Sequence, residues 1–156
     1  MTILDAYALV AFLTGGAAAS QVRTLLREGN AAVATTNLAE ALYVSERRAG
    51  IPVARAMQVL DPLFSGVLAE VPLDTRRARR AAEIRVAHYH RSRRPISLAD
   101  AILIASTGPD DSIATADPDV LAVAEAERLR TVRLAHEARD SMCLRREEAP
   151  RRLQPA

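Results

Sequence analysis

The sequence predicts an α/β domain in which a short, mainly parallel central sheet is flanked by helices. Short apolar segments of strand length alternate with longer segments whose apolar residues recur at helical spacing, a pattern typical of parallel strands joined by helices. The 156 residues are the length of one domain and can bury one core. Apolar residues make up 49% of the chain, but aromatics only 3%, so Ala, Leu and Val must build the core.

Five strands and seven helices are predicted. In chain order the strands are TIL, AAVAT, GVLAEVPL, SIAT and RTVRL. The helices are AYALVAFL, SQVRTLLREG, NLAEALYVSERRAG, PVARAMQVLDPLF, DTRRARRAAEIRVAHYHR, SLADAILIAST and DPDVLAVAEAERL. Ser20 and Asp74 are expected to cap helix N-termini, and Gly29 and Gly50 to end helices. The domain is expected to span residues 1–135, with 136–156 as a loosely held tail.

Charge and cysteine content restrict the functional class only weakly. The net charge is +2, and all 21 basic residues are Arg, the better bidentate ligand for phosphate; GC-rich base composition would explain the same bias. The single cysteine, Cys143, excludes an internal disulfide and fits a reducing compartment. No segment has transmembrane length and no signal peptide is recognisable, so a cytoplasmic protein without a membrane partner is expected.

Four acidic residues stand in or directly after apolar segments, where an unpaired carboxylate is costly. They are Asp5, Glu40, Asp100 and Asp117. Each also has a purely structural explanation. Asp5 and Asp117 could cap the helices that follow them, and Glu40 and Asp100 lie three residues after Asn37 and Ser97, at capping-box spacing.

Taken together, the four acids predict a site. Asp5 and Asp117 follow predicted strands, and sites in open α/β sheets form at the carboxyl ends of strands. Glu40 and Asp100 lie in the first turns of helices that could face the same edge. Carboxylates that converge in this way need a cation between them, and oxygen ligands favour Mg²⁺ or Mn²⁺.

Two neighbouring residues fit this interpretation, and the sequence has no motif for the other kinds of site considered. Asn37 and Thr115 can donate hydrogen bonds to carboxylates or metal-bound water. His88 and His90 are two residues apart on a predicted helix and face different directions, which argues against a zinc site. The sequence has no phosphate-binding glycine loop and no nucleophile elbow. The sequence also has no Lys. A phospho-acceptor signalling domain, which likewise has an acidic pocket on an α/β sheet, would need a Lys in that pocket.

The segments LDAYAL, NLAEAL, SLADAILIA and IATADPDVL together resemble the PIN-domain family, and most closely its VapC-like ribonuclease toxins. The resemblance covers residues 1 to about 134 in the order Asp, Glu, Asp, Asp. It implies a PIN-like three-layer fold and metal-dependent cleavage of RNA by activated water. It places the catalytic and metal-binding residues at Asp5, Glu40, Asp100 and Asp117, with Thr115 in support. Asp119 is a weaker additional candidate.

The resemblance also implies partners, namely an RNA substrate, a small cognate antitoxin and a second copy of the chain in a homodimer. Arg91, Arg93 and Arg94 lie in the loop before SLADAILIAS, and an acidic site needs a basic rim if a polyanion is to approach it. They are therefore expected to bind RNA phosphates. A catalytically inactive PIN-like module that binds RNA or protein is the alternative function.

Overall fold

The computed structural model describes residues 1–136; apart from His136, the predicted tail lies outside the described residues. The strands are β1 (Thr2–Leu4), β2 (Ala31–Ala34), β3 (Leu68–Val71), β4 (Ser112–Thr115) and β5 (Arg130–Arg133). The helices are α1 (Ala6–Thr14), α2 (Ala19–Arg27), α3 (Thr35–Ala49), α4 (Val53–Phe64), α5 (Thr75–His88), α6 (Leu98–Ala105) and α7 (Pro118–Ala126). The predicted α/β class is confirmed.

The five strands form one sheet in the order β3-β2-β1-β4-β5, and every pair of neighbours is parallel. The sequence predicted a mainly parallel sheet, and the sheet is parallel throughout. Both neighbours of β1 follow it in the chain, β2 on one side and β4 on the other. The direction of strand addition therefore reverses at β1, and ligand sites in such sheets lie at the carboxyl ends of the strands at this position.

Side chains of the short strands alternate between two helical layers, as the two-residue strand period requires. Leu4 and Val33 pack in a core with α1, α2, α3 and α4. Ile3, Ala32 and Ile113 point to the other face and pack with α5, α6 and α7. The molecule therefore has three layers, helices on both sides of a sheet, and both layers hold the carboxyl ends of β1 and β4 in place.

Two predicted helix starts were wrong. Ser20 does not cap α2, which begins one residue earlier with Ala18 at the N-cap and no capping side chain. Helix α3 begins at Thr35, directly after β2, rather than at Asn37. Asp74 caps α5 as predicted and accepts from the Arg77 amide. Gly50 ends α3 as predicted, in a left-handed conformation with φ of 66° that glycine adopts without steric cost.

Within residues 1–136, no single helix is long and apolar enough to cross a membrane. Helices α1 and α2 meet the length and composition of a span only as a pair, and a bend of 106° separates them.

Candidate functional site

Asp5 lies where β1 passes into α1, and the residue is almost completely buried, with 5% of its surface exposed. Its Oδ1 accepts from the Ala6 amide at 2.6 Å and from Asn37 Nδ2 at 3.4 Å. Its Oδ2 accepts from the Thr115 hydroxyl at 2.6 Å. Asp5 therefore caps α1, as the structural explanation predicted, and is also bonded to the next two elements of the site.

Thr115 and Asp117 bring the end of β4 to the same position. Thr115 is fully buried, and its hydroxyl donates to Asp5 while accepting from the Asp117 amide at 3.0 Å. Asp117 Oδ1 accepts from the amides of Asp119 and Val120, so Asp117 caps α7 ahead of Pro118. The chain from β4 to α7 is thus tied to Asp5 by one hydroxyl.

Helix α3 supplies Asn37 and Glu40. Because α3 begins at Thr35, Asn37 lies inside its first turn, fully buried, with its amide directed at Asp5. The predicted capping box of Asn37 and Glu40 is wrong, since Ala34 is the N-cap and no side chain caps α3. Glu40 lies one turn after Asn37 on the same face, is half-buried, and makes no hydrogen bond to the rest of residues 1–136.

Asp100 occupies the first turn of α6 and forms a complete capping box with Ser97. Its Oδ2 accepts from the Ser97 amide at 2.6 Å, and the Ser97 hydroxyl accepts from the Asp100 amide at 3.0 Å. The structural explanation of this acid is confirmed. One carboxylate oxygen of Asp100 remains outside the capping box.

All four acids line one cleft with a volume of about 530 Å³ at the carboxyl edge of the sheet. The other lining residues are Ala6, Tyr7, Val10, Val44, Arg48, Ala116, Pro118 and His136. The expectation that the four acids share one edge therefore agrees with the structure. We call this space the acid cleft.

Like charges act on one another across the acid cleft. Burial raises the pKa of Asp5 from 3.8 to about 6; the Thr115 hydroxyl opposes this rise, and the charges of Asp100 and Glu40 add to it. Burial, and then the charge of Asp100, also raise the pKa of Glu40. These couplings place Asp5, Glu40 and Asp100 within electrostatic range, where a cation would relieve their repulsion.

The donor set suits a hard cation, but the side chains do not enclose one as they stand. Four carboxylates offer the oxygen ligands that Mg²⁺ and Mn²⁺ prefer. Yet within residues 1–136 no three His, Cys, Asp or Glu side chains lie close enough together to bind a metal ion. Part of the reason is local, since Asp5, Asp100 and Asp117 each direct at least one oxygen at a backbone amide.

Sequence reasoning missed three residues of the acid cleft. Arg48 lies two turns after Glu40 on α3, Tyr7 lies in the first turn of α1, and His136 follows β5. The helical spacing of Glu40, Val44 and Arg48 was a usable signal for the first of these. Nothing in the sequence indicated that His136 would reach the acids.

Other predicted residues lie outside the lining of the acid cleft. Arg91, Arg93 and Arg94 belong to a tight turn closed by backbone hydrogen bonds between His90 and Arg94. Arg91 and Arg93 are exposed there. Asp119 contributes its amide to the cap of α7. The phosphate-binding role of the three arginines remains a prediction.

The sequence model of the PIN domain family matches residues 2–126, which covers every strand and helix described above except β5. The chain therefore belongs to the PIN domain family. A search of curated proteins finds no match.

Solved structures share the fold at low sequence identity. VapC20 of Mycobacterium tuberculosis, described as a sarcin-ricin loop cleaving toxin, has a TM-score of 0.63 and 19% identity over 78% of this chain and 94% of its own. FitAB bound to the IR36 DNA fragment has a TM-score of 0.61 and 20% identity over 88% and 100%. FitAcB from Neisseria gonorrhoeae has a TM-score of 0.59 and 21% identity over 84% and 96%.

The buried carboxylate of Asp5 predicts a measurable pH dependence of stability. A group whose pKa rises on folding stabilises the fold below its unfolded pKa, and that stabilisation is lost as the pH rises through the folded pKa, here from 3.8 to about 6. Asp5→Asn keeps an acceptor for the helix cap and removes the charge. In metal-free buffer, the free energy of unfolding of the variant should gain about 2 kcal/mol relative to wild type between roughly pH 4.5 and 7.5.

Urea titrations across that pH range measure the difference. Asp110→Asn, on an exposed loop, is the matched control for loss of one negative charge. An equal gain in both variants would show that the effect comes from net charge rather than from burial of Asp5.

Proposed function

We propose that this protein is a metal-dependent endoribonuclease that acts as the toxin of a toxin–antitoxin pair. The observation that carries the proposal is the gathering of four carboxylates in one cleft at the carboxyl ends of β1 and β4, in a chain of the PIN domain family. The solved structure of similar fold that is described as a sarcin-ricin loop cleaving toxin supports the same reaction class.

Asp5, Glu40, Asp100 and Asp117 would hold Mg²⁺ or Mn²⁺. When bound, the cation would lower the pKa of a water molecule and stabilise charge on the phosphate oxygens. Asp100 and Asp117 each accept their capping bonds from backbone amides through one oxygen, so the other oxygen of each would be available to the cation. A bound cation would offset both the burial and the like-charge repulsion that raise the pKa values of Asp5 and Glu40.

The remaining polar residues of the site act by position. Thr115 donates to one oxygen of Asp5 and holds the Asp117 amide, so the two acids from different strands keep a fixed separation. Asn37 donates to the other oxygen of Asp5 and fixes the plane of its carboxylate. Preorganisation of this kind is what a hydrolytic site needs, because misplacement of a reacting group costs much of the rate.

The substrate we propose is RNA, held by phosphate contacts. Arg48 is exposed and is the basic side chain on the α3 wall of the acid cleft, where it can bind a phosphate next to the one being cut. Arg91, Arg93 and Arg94 would extend this contact from the loop before α6. Electrostatic attraction from these arginines offsets the repulsion of RNA by the acids.

The partners follow from the same proposal. We propose that a small antitoxin binds the chain and blocks the acid cleft. We also propose that the chain forms a homodimer and that it is located in the cytoplasm, where it meets its RNA substrate.

A catalytically inactive PIN-like module that binds RNA or protein is the second candidate. The observation that favours it is that the acids among residues 1–136 do not form a metal-binding group in this arrangement. The two candidate functions are distinguished by one question, namely whether cation binding and RNA cleavage depend on the same carboxylates, as the nuclease proposal requires.

We predict that the purified protein cleaves RNA with Mg²⁺ or Mn²⁺ and stops on chelation. Asp100→Asn should lower the cleavage rate by orders of magnitude, because the cation loses a charged ligand while the capping oxygen for Ser97 is kept. It should also reduce the rise in melting temperature that Mn²⁺ produces, since at a given concentration a ligand that binds the folded chain more weakly stabilises it less. Asp110→Asn is the control, and wild-type cleavage by Asp100→Asn would contradict the site.

The arginine contacts can be tested by salt dependence. Each lost phosphate contact on single-stranded RNA should flatten the log–log salt slope of binding by about 0.7. We expect that change for Arg48→Ala, and about twice that change for the Arg91→Ala/Arg93→Ala double variant, with Mn²⁺ binding unchanged. The control Arg23→Ala/Arg27→Ala removes two exposed charges from α2, away from the acid cleft. A slope equal to wild type would exclude the arginines concerned from the RNA contact.

The antitoxin is tested in cells. Expression of the chain alone should arrest growth, and co-expression of the adjacent small reading frame should restore growth and yield a co-purifying complex. Asp100→Asn should be harmless but still bind that partner. The toxin assignment would be contradicted if cells that express the RNA-cleaving wild-type chain alone grew normally and no partner protein co-purified with it.

A further inference from the structure

An aromatic pair lies beside the acids in the acid cleft. Tyr7 and His136 both line it, and their rings lie 5.7 Å apart between centroids with a tilt of 44°. Tyr7 comes from the first turn of α1, two residues after Asp5. His136 comes from the opposite end of the described chain, so the fold brings the pair together.

The Tyr7 hydroxyl donates to the Ala135 carbonyl at 2.8 Å, which orients its ring in the cleft. Tyr7 is half-buried, whereas His136 is exposed. A half-buried aromatic ring whose hydroxyl is held by a hydrogen bond can pack against another flat group.

The imidazole of His136 is not needed to fasten the chain after β5, because the Tyr7 hydroxyl already holds the Ala135 carbonyl. Gln21 of α2 already accepts from the Ala135 amide at 2.7 Å, and the Leu134 amide donates to the Thr115 carbonyl at 2.9 Å. Leu134 is buried in the core. The exposed imidazole of His136 therefore adds little to the anchoring, and its place in the acid cleft requires another explanation.

We propose that Tyr7 and His136 form a stacking platform for an RNA base next to the phosphate that is cut. This inference rests on the proposed function. Every base has a π-face, so aromatic side chains bind single-stranded RNA by stacking with little dependence on sequence. Arg48, on the α3 wall of the same cleft, would hold the backbone while the pair holds a base. The pair therefore selects single-stranded RNA, because a paired base cannot present its face.

The test measures binding to a single-stranded oligoadenylate of about eight nucleotides, within the usual site sizes, with Mn²⁺ present throughout. All proteins carry Glu40→Gln to suppress cleavage. The second probe is a set of oligonucleotides of the same length and sequence. Each of them has a single abasic nucleotide, at a different position in each. His136→Ala should weaken binding of the intact RNA by about tenfold, and His136→Phe should restore it. Tyr7→Leu should have a similar effect, and Tyr43→Leu, an exposed tyrosine outside the acid cleft lining, should have none.

The abasic RNAs distinguish stacking from a structural role. At the position that stacks, loss of the base should weaken binding to the parent protein about tenfold and abolish the further effect of His136→Ala. If His136→Ala weakens all probes equally, the ring acts on the protein and not on a base, and the proposal is wrong.

Failure of this inference is separable from failure of the proposed function. Metal-dependent RNA cleavage by wild type together with unchanged RNA affinity in His136→Ala and Tyr7→Leu would overturn the stacking platform alone. Absence of RNA binding and of cleavage with Mg²⁺ or Mn²⁺ would overturn both.

Discussion

The hydrogen bond from the Thr115 hydroxyl to the Asp5 carboxylate is the contact on which the site depends. It joins the ends of β1 and β4, the two strands at which the sheet reverses its direction of growth. The backbone supports it, because the Asp5 amide also donates to the Ala114 carbonyl. The cost is a buried carboxylate close to other carboxylates, and its raised pKa records that cost.

The architecture was predictable because the strand and helix signals in this sequence are strong and local. Strands such as SIAT and helices such as SLADAILIAS are separated by caps and glycines that the structure uses, for example Asp74, Ser97 and Gly50. The wrong starts of α2 and α3 have a common cause. Neither helix has a side-chain cap, so sequence reasoning placed the starts at Ser20 and Asn37, which are residues that can cap a helix, whereas the preceding turn or strand decides them.

The structural and functional explanations of the acids were not exclusive. Asp5, Asp100 and Asp117 cap helices and line the acid cleft at the same time. Local spacing predicted the capping box of Ser97 and Asp100, which forms, and that of Asn37 and Glu40, which does not. The positions of the acids after strands and in the first turns of helices predicted their shared edge. Helical spacing from Glu40 could have indicated Arg48, but the contributions of Tyr7 and His136 were not predictable in this way. They depend on how α1 and the chain after β5 pack, and no short-range pattern encodes that packing.

The absence of a cap at α3 gives Glu40 a distinct value for comparing chains of this fold. Selection for folding alone would retain Asp, Asn or Ser at positions 5 and 117, the N-caps of α1 and α7, because each of these residues caps a helix about equally well. At position 100 it would retain a side chain that accepts from the Ser97 amide. Acids there can outlast the loss of catalysis. Glu40 has no such second role among the described residues, so under the proposed function a lineage that had lost RNA cleavage would be free to replace it. The residue at this position is therefore the most informative single trace of whether a related chain is still under selection as an enzyme.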